Sequence, residues 1–390
     1  MPVIQPGEHT HFDKAEFSAR HSATLAALRD SGLDGLLIFR PESQYWLTGY
    51  DTFGYVYFQC LVLAADGRMV LLNRAPDRLQ ARFTSIVEDV RVWEDGAGAD
   101  PAGDLVGILR ELGLAGSRLG VEWESYGLTA RSGMRLAAAL HGVAETADAS
   151  ELISRLRVVK SAAEIAYVRQ AARLADAALA AGEAATAPGA FEGEILADMQ
   201  GAIIRAGGDD PANEFIIGSG AGAQMCRYFT GRRHLGAQDQ LTLEFAGVWR
   251  HYHAALMRTL IVGRPDPRLV SMHAACRDAL LAAEAALRPG HQAGAVFDAH
   301  AAVLDAAGLR AARMNACGYS LGTTYAPNWM DWPMLFHGQN LVLRPGMVFF
   351  IHIIAFDAPA GLPMTLGRTS LITESGSEPL SAASLDLVCR

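Results

Sequence analysis

The sequence has little charge, few cysteines and no long uncharged apolar run. Only 19% of its 390 residues are charged, and its formal net charge is −9. A negatively charged chain argues against nucleic acid or an anionic membrane surface as a partner. No apolar run reaches the ~18 residues that a membrane-spanning helix needs. The five cysteines are dispersed without CxxC spacing, so we expect a reducing, cytoplasmic compartment and mostly buried thiols.

The length and composition of the chain predict two domains. A chain of 390 residues is more than one core usually serves, and 51% apolar residues fit a globular enzyme. In the first part, helices and short strands alternate, with a hairpin predicted around Asp66-Gly67 between apolar runs at 60–65 and 69–73. This alternation predicts an α/β domain with a mixed sheet at 1–157.

The second domain, 158–390, shows signs of an internal repeat. Ser161 and Glu164 have capping-box spacing ahead of a long Ala-rich helix. The turns after the first helices of two predicted helix pairs contain Pro188-Gly189 and Pro289-Gly290, 101 residues apart (289 minus 188). Each helix pair is followed by apolar extended segments. The pattern has two interpretations: Pro-Gly merely ends helices, or the domain is duplicated.

Four segments of this domain set polar residues among apolar ones. They are LEFAG at 243–247, HYHAALMRT at 251–259, CGYSLG at 317–322 and RPGMVFFIH at 344–352. Their order and spacing resemble the pita-bread family of methionine aminopeptidase, prolidase and creatinase. The resemblance covers nearly the whole chain. It implies an α/β (α+β) protein with a creatinase-like N-terminal domain and a C-terminal pita-bread domain, whose halves are related by a pseudo-twofold axis, and it implies a homodimer.

The metal ligands of that family are mostly replaced in this chain. The metallopeptidases of the family use two aspartates, a histidine and two glutamates around two metals. The resemblance puts these positions on Glu244, Ala255, Tyr319, His352 and Gly367. Hard divalent metals need several oxygen ligands, or imidazoles with carboxylates, at one point. We therefore expect no metal ligands and no other cofactor.

Glu244 is the leading candidate for a catalytic residue. It lies in an apolar strand in which Leu243 and Phe245 share one face, so its side chain points either to solvent or to a polar pocket. The resemblance favours the pocket, because Glu244 occupies the position of the first metal ligand. A buried carboxylate without a metal has a raised pKa and can act as a base, an acid or a nucleophile.

Two histidines and a tyrosine are the other catalytic candidates. In a strand, the side chains of His251 and His253 would point to the same face. One histidine could be solvated and the other part of the core, but we favour a supporting role in catalysis for His253. His352 lies in a strand too apolar to be exposed on either face, and the resemblance gives it a ligand position. Tyr319 could donate a hydrogen bond to a developing anion.

The candidates for substrate binding are arginines and aromatic or polar neighbours of these residues. An arginine in an apolar strand usually pairs with a carboxylate, which belongs either to the protein or to the substrate. Trp329 could cover a cationic or zwitterionic ligand, or it could be ordinary core. The full set of candidates is Arg227, Arg258, Arg368, Trp329, His251 and Asp331.

The stretch at 244–253 is similar to that of the ectoine hydrolases, metal-free members of the family that open a cyclic amidine. The chain departs from them at 225–228, where Met-Cys-Arg-Tyr replaces a catalytic histidine. The resemblance implies metal-independent hydrolysis of a C–N bond in a small polar amidine or amide that bears a carboxylate. Two alternatives remain: an Xaa-Pro peptidase with an atypical site, and a non-catalytic small-molecule binding protein on a peptidase fold.

Overall fold

The structure is a computed structural model that describes residues 7–225 and 232–390. The chain divides into two compact units, residues 1–157 and 158–390. Within the described ranges, every helix is too short or too polar to cross a membrane.

The first unit is built on a six-stranded mixed sheet with helices on both faces. Its strands follow the order β4-β3-β2-β1-β5-β6, and the β2–β3 hairpin at Asp66-Gly67 is confirmed. Leu37 and Leu36 belong to separate cores on the two sides of the sheet, as the alternation of side chains along a strand requires. The elements are α1 (Lys14–Asp30), β1 (Gly35–Ile38), α2 (Pro41–Thr48), β2 (Cys60–Ala64), β3 (Met69–Arg74), α3 (Arg78–Thr84), β4 (Asp89–Trp93), α4 (Pro101–Glu111), β5 (Arg118–Val121), α5 (Ala130–Leu140), β6 (Glu145–Asp148) and α6 (Leu152–Arg157).

The second unit is a nine-stranded sheet covered on one side by two helix pairs. The sheet runs β7-β8-β9 and then β13-β12-β10-β11, so each half of the sheet follows its own helix pair in sequence, as the predicted repeat requires. The elements are α7 (Ala162–Ala185), α8 (Glu192–Arg205), β7 (Ile216–Ser219), β8 (Asp239–Trp249), β9 (Tyr252–Val262), α9 (Pro267–Ala286), α10 (Gly294–Ala306), β10 (Ala316–Ser320), β11 (Asp331–Phe336), β12 (Val348–Asp357), β13 (Leu362–Thr373), β14 (Gly376–Pro379) and β15 (Val388–Cys389).

The predicted start of α7 is confirmed in detail. The Ser161 hydroxyl accepts from the backbone N–H of Glu164, and the Glu164 carboxylate accepts from the backbone N–H of Ser161. The helix then crosses β8 at Gly247. A Cβ at this position would overlap the carbonyl oxygen of Ala171 and the amide nitrogen of Ala175. Close packing of α7 on the sheet therefore needs a residue without a side chain at 247.

We predict that Gly247→Ala lowers the free energy of unfolding by about 1–3 kcal/mol, the usual cost of overpacking. The new methyl group would collide with helix backbone, which moves only as a unit. Gly107→Ala in α4 is the matched control, because a Cβ there meets nothing within 4 Å. Denaturant titration of both variants measures the effect. Equal stability of the two variants would show that α7 can move away at no cost.

Candidate active site

One face of the second sheet carries a cavity of about 160 Å³. Five strands pair so that Ile216, Glu244, Met257, Gly367 and His352 follow one another directly across the sheet. Directly paired residues point to the same face. The side chains of the first, second and last of these residues line the cavity. This row of residues forms the base of the candidate site.

Tyr319 extends the polar part of the cavity from β10. Its hydroxyl lies 3.4 Å from Glu244 Oε1 and 2.8 Å from Trp329 Nε1. The indole nitrogen can only donate a hydrogen bond, so the tyrosine oxygen accepts there and turns its own proton towards Glu244. The Tyr319 and His352 rings are 5.5 Å apart, centroid to centroid. A phenol donor, an imidazole and a carboxylate thus share one cavity.

The carboxylate of this group is largely shielded from bulk water. Glu244 is 9% exposed and Trp329 is 1% exposed. Trp329 is held in place by two hydrogen bonds: its indole N–H donates to Tyr319, and its backbone N–H donates to Asn213 Oδ1 at 3.1 Å. Water exclusion strengthens electrostatic interactions between these side chains and a bound ligand. The arrangement can accept a proton at Glu244 and donate a hydrogen bond from Tyr319.

Several residues that line the cavity were missed by the sequence analysis. Ile354 could have been found from the sequence, since it lies two residues after His352 on the same strand and therefore on the same face. Asn213 and Met314 lie outside strands, where no periodicity points to them. The missed lining residues are Asn213, Ile216, Met314, Ala316, Asn328, Met330, Met334 and Ile354.

His253 lies outside the lining of this cavity, and both of its ring nitrogens are occupied. The amide of Ala212 donates to Nε2 at 3.0 Å, so Nε2 is unprotonated. Nδ1 then carries the proton and lies 2.8 Å from the carbonyl oxygen of His251. Burial lowers the pKa of His253 to about 3. The geometry gives this histidine the task of joining two segments next to the cavity, instead of the proton transfer that the sequence predicts.

His251 does not share a strand face with His253. Arg250 and His251 have φ of 54° and 63° and form the two-residue turn between Trp249 and Tyr252. Positive φ at both central positions is typical of the tight hairpin turn that matches strand twist. The His251 ring stacks on Tyr325 at 4.3 Å between centroids. The expected HxH face is wrong because the strand begins only after His251.

Arg258 points to the opposite side of the sheet from Glu244. It pairs directly with Leu243, the neighbour of Glu244, so alternation turns the two polar side chains to different faces. The arginine is 2% exposed, and its Nη1 donates to the carbonyl oxygens of Met257 and Gly367. Burial lowers its pKa to about 10. Its position does not allow it to hold a ligand in the cavity.

Arg368 and Asp331 also form hydrogen bonds with other groups of the protein and do not line the cavity. Arg368 donates two hydrogen bonds of 2.7 and 2.6 Å to the Glu284 carboxylate, which also accepts from Ser370. This partly buried ion pair accounts for the arginine without a substrate. Asp331 accepts from the backbone N–H of Trp332 and lies outside the cavity lining. Arg227 lies outside the described residues.

The residues at the family's ligand positions do not fit a divalent metal. In the described part of the chain, no three His, Cys, Asp or Glu side chains meet at one point. At Gly367, the position of the last carboxylate, a Cβ would lie 2.7 Å from the Ile351 oxygen and 3.1 Å from His352 Cα. The strands are thus packed too closely there for an added carboxylate. Glu244 with Tyr319 and His352 is a poor donor set for such a metal.

Comparison with known proteins identifies the class to which this fold and site belong. The profile of metallopeptidase family M24 matches residues 166–374, and the profile of the creatinase/prolidase N-terminal domain matches residues 20–159. The chain therefore belongs to family M24, and its creatinase-like first domain and pita-bread second domain are confirmed.

Individual relatives cover nearly the full chain. An ectoine hydrolase of Halomonas elongata is 27% identical over 387 residues, which is 95% of this chain and 96% of that protein. The probable dipeptidase PepE of Mycobacterium tuberculosis is 29% identical over 342 residues, 87% of this chain and 88% of that protein. The crystal structure of dipeptidase PepE from Mycobacterium ulcerans has a TM-score of 0.84 at 27% identity, covering 97% of this chain and 99% of the other.

We predict that His253 makes the protein less stable as the pH falls from about 6.5 towards 3. The unfolded state takes up a proton near pH 6.5, whereas native His253 stays neutral down to about pH 3. Stability is therefore full above the unfolded pKa and falls by up to about 1.4 kcal/mol per pH unit within this window. His253→Gln can keep an acceptor for Ala212 but cannot titrate.

The measurement is the difference between the pH profiles of unfolding for wild type and His253→Gln. The difference is needed because burial also lowers the pKa of His300, to about 4, in the same window. We expect the wild-type curve to fall more steeply. Parallel curves would mean that His253 titrates normally in the native protein.

Proposed function

We propose that this protein is a hydrolase that cleaves a C–N bond in a small amidine or amide without a divalent metal. The single observation that carries the proposal is the shared cavity of Glu244, Tyr319 and His352, with the tyrosine hydroxyl 3.4 Å from the carboxylate. These three groups supply a base, a hydrogen-bond donor and an imidazole at the family's reaction centre. Such a set suits addition of water to an sp² carbon.

The proposed reaction begins with water at the carbon atom of the amidine or amide. Either Glu244 takes a proton from the water as the water oxygen forms the new C–O bond, or the Glu244 carboxylate attacks the carbon and water later cleaves the covalent intermediate, which frees Glu244 again. Tyr319 donates a hydrogen bond to the heteroatom that receives the displaced π electrons. His352 gives a proton to the leaving nitrogen when the C–N bond breaks. Trp329 acts through Tyr319, since its indole N–H keeps that hydroxyl turned towards the reacting atoms.

The ectoine hydrolase relative supports hydrolysis of a bond other than a peptide bond. The replacement of the residues at four of the five ligand positions supports it as well. The probable dipeptidase relatives favour a second candidate, hydrolysis of a dipeptide. Against it stands the donor set, which does not fit a divalent metal in the described part of the chain. The carboxylate that the sequence analysis expects on the substrate would depend on Arg227, because the described lining of the cavity contains no lysine or arginine.

We predict that the protein, purified without a tag, holds no stoichiometric divalent metal and keeps its turnover in chelator. The physical reason is that the five ligand positions offer one carboxylate, one imidazole and one phenol. Elemental analysis and a screen of cyclic amidines, amides and dipeptides with and without chelator make the test. About two metals per chain, together with turnover lost in chelator, would favour the dipeptidase alternative.

We predict that Glu244→Gln removes at least ~10² in turnover, the scale of one general acid–base group, and leaves folding intact. Glutamine keeps the shape of the side chain but loses its negative charge and its basicity. Glu374→Gln, on an exposed turn between β13 and β14, is the matched control. Turnover is compared on any substrate found in the screen. Near-normal turnover of the Glu244 variant would reject its catalytic role.

A further inference from the structure

The cavity is divided into a polar part and an apolar part. Ile354 follows His352 by two positions on β12, so it continues the same face roughly 6–7 Å further along the strand. Arg313 bridges to Ala355, which brings the next residue, Met314, beside Ile354. Both side chains line the cavity. An apolar wall therefore begins directly beside the catalytic imidazole.

The second side of this wall comes from β10 and β11. Met334 pairs directly with Tyr319, so its side chain continues the cavity outward from the phenol. Ala316 lies on β10 itself and also lines the cavity. We call the four residues Met314, Ala316, Met334 and Ile354 the apolar wall. It adjoins His352 and Tyr319, two of the three residues to which the proposed function gives a role in catalysis.

Part of the apolar wall is open to solvent, so a bound group could cover it. Met334 is 39% exposed although its side chain lines a cavity. Methionine is flexible and polarizable, so two methionines can adapt to aliphatic chains of different shapes. Covering apolar surface is favourable by about 0.8 kcal/mol for each buried methylene group. The wall is thus suited to an aliphatic substituent.

The charge of the lining points in the same direction. Among the described lining residues, the ionisable side chains are Glu244, Tyr319 and His352, and no lysine or arginine is present. An anionic group at the outer end would find no cation there among these residues. An apolar group costs nothing in lost solvation at the same place.

We propose that the substrate carries an aliphatic substituent of several carbons, which lies on the apolar wall while the reacting C–N group lies at Glu244. This inference rests on the proposed function for the polar end of the cavity only. It adds the substrate class: a compact amidine or amide with an alkyl side chain, instead of a compound that is polar throughout.

The experiment measures the affinity of the whole protein for two series of compounds by calorimetry. One series is acetamidine, butanamidine and hexanamidine, and the other is acetamide, butanamide and hexanamide. We expect affinity for wild type to rise roughly fourfold with each added methylene group in both series. Met334→Ser should weaken hexanamidine about tenfold and leave acetamidine within twofold. Met134→Ser, at a 75% exposed methionine of the first unit, should change neither.

The two series separate this inference from the proposed function. If affinity grows with chain length but the protein hydrolyses no compound of either series, the proposed hydrolysis fails for these head groups and the apolar wall stands. Affinity that does not grow with chain length in either series overturns the inference. So does a chain-length effect that is the same in wild type and Met334→Ser, because the substituent would then lie elsewhere. A series that fails to bind at all counts as no growth.

Discussion

The site depends on the antiparallel register of five neighbouring strands. Ile216, Glu244, Met257, Gly367 and His352 form one row because each pairs directly with the next. A slip of one residue in any of these pairs would turn a side chain to the helix-covered face. Gly247 supports the register from behind, since it lets α7 lie directly on β8. The cavity is therefore a property of the whole sheet.

Hydrogen-bond direction assigns different tasks to side chains that look alike in sequence. Tyr319 accepts from the indole of Trp329, which can only donate, so the phenol proton is available to Glu244 or a ligand. His253 accepts from the backbone of Ala212, which leaves its Nε2 without a proton. One group is therefore directed at the cavity and the other is used to join the segments beside it. The same reasoning excludes Arg368 as a residue that binds the substrate, because its guanidinium donates its hydrogen bonds to Glu284.

The positions that the family resemblance assigns to metal ligands carry a different set of side chains in this chain. Gly367 is packed against β12, so the space of a lost carboxylate is no longer open. Glu244, at the first of these positions, has the phenol of Tyr319 as a neighbour. An apolar wall borders this group. The combination supports the proposed hydrolysis of a C–N bond without a divalent metal.

Local patterns in the sequence determined the elements and much of the fold. The capping box at Ser161, the hairpin at Asp66-Gly67 and the helix pairs depend on residues close together in the chain, so they could be read directly. The family resemblance carried by the motifs led to Glu244, Tyr319 and His352. Only the tertiary structure decided that Arg258 faces away from the cavity. It alone brought Asn213 and Met314 to the cavity, because their place depends on contacts between segments distant in sequence, which no local pattern encodes.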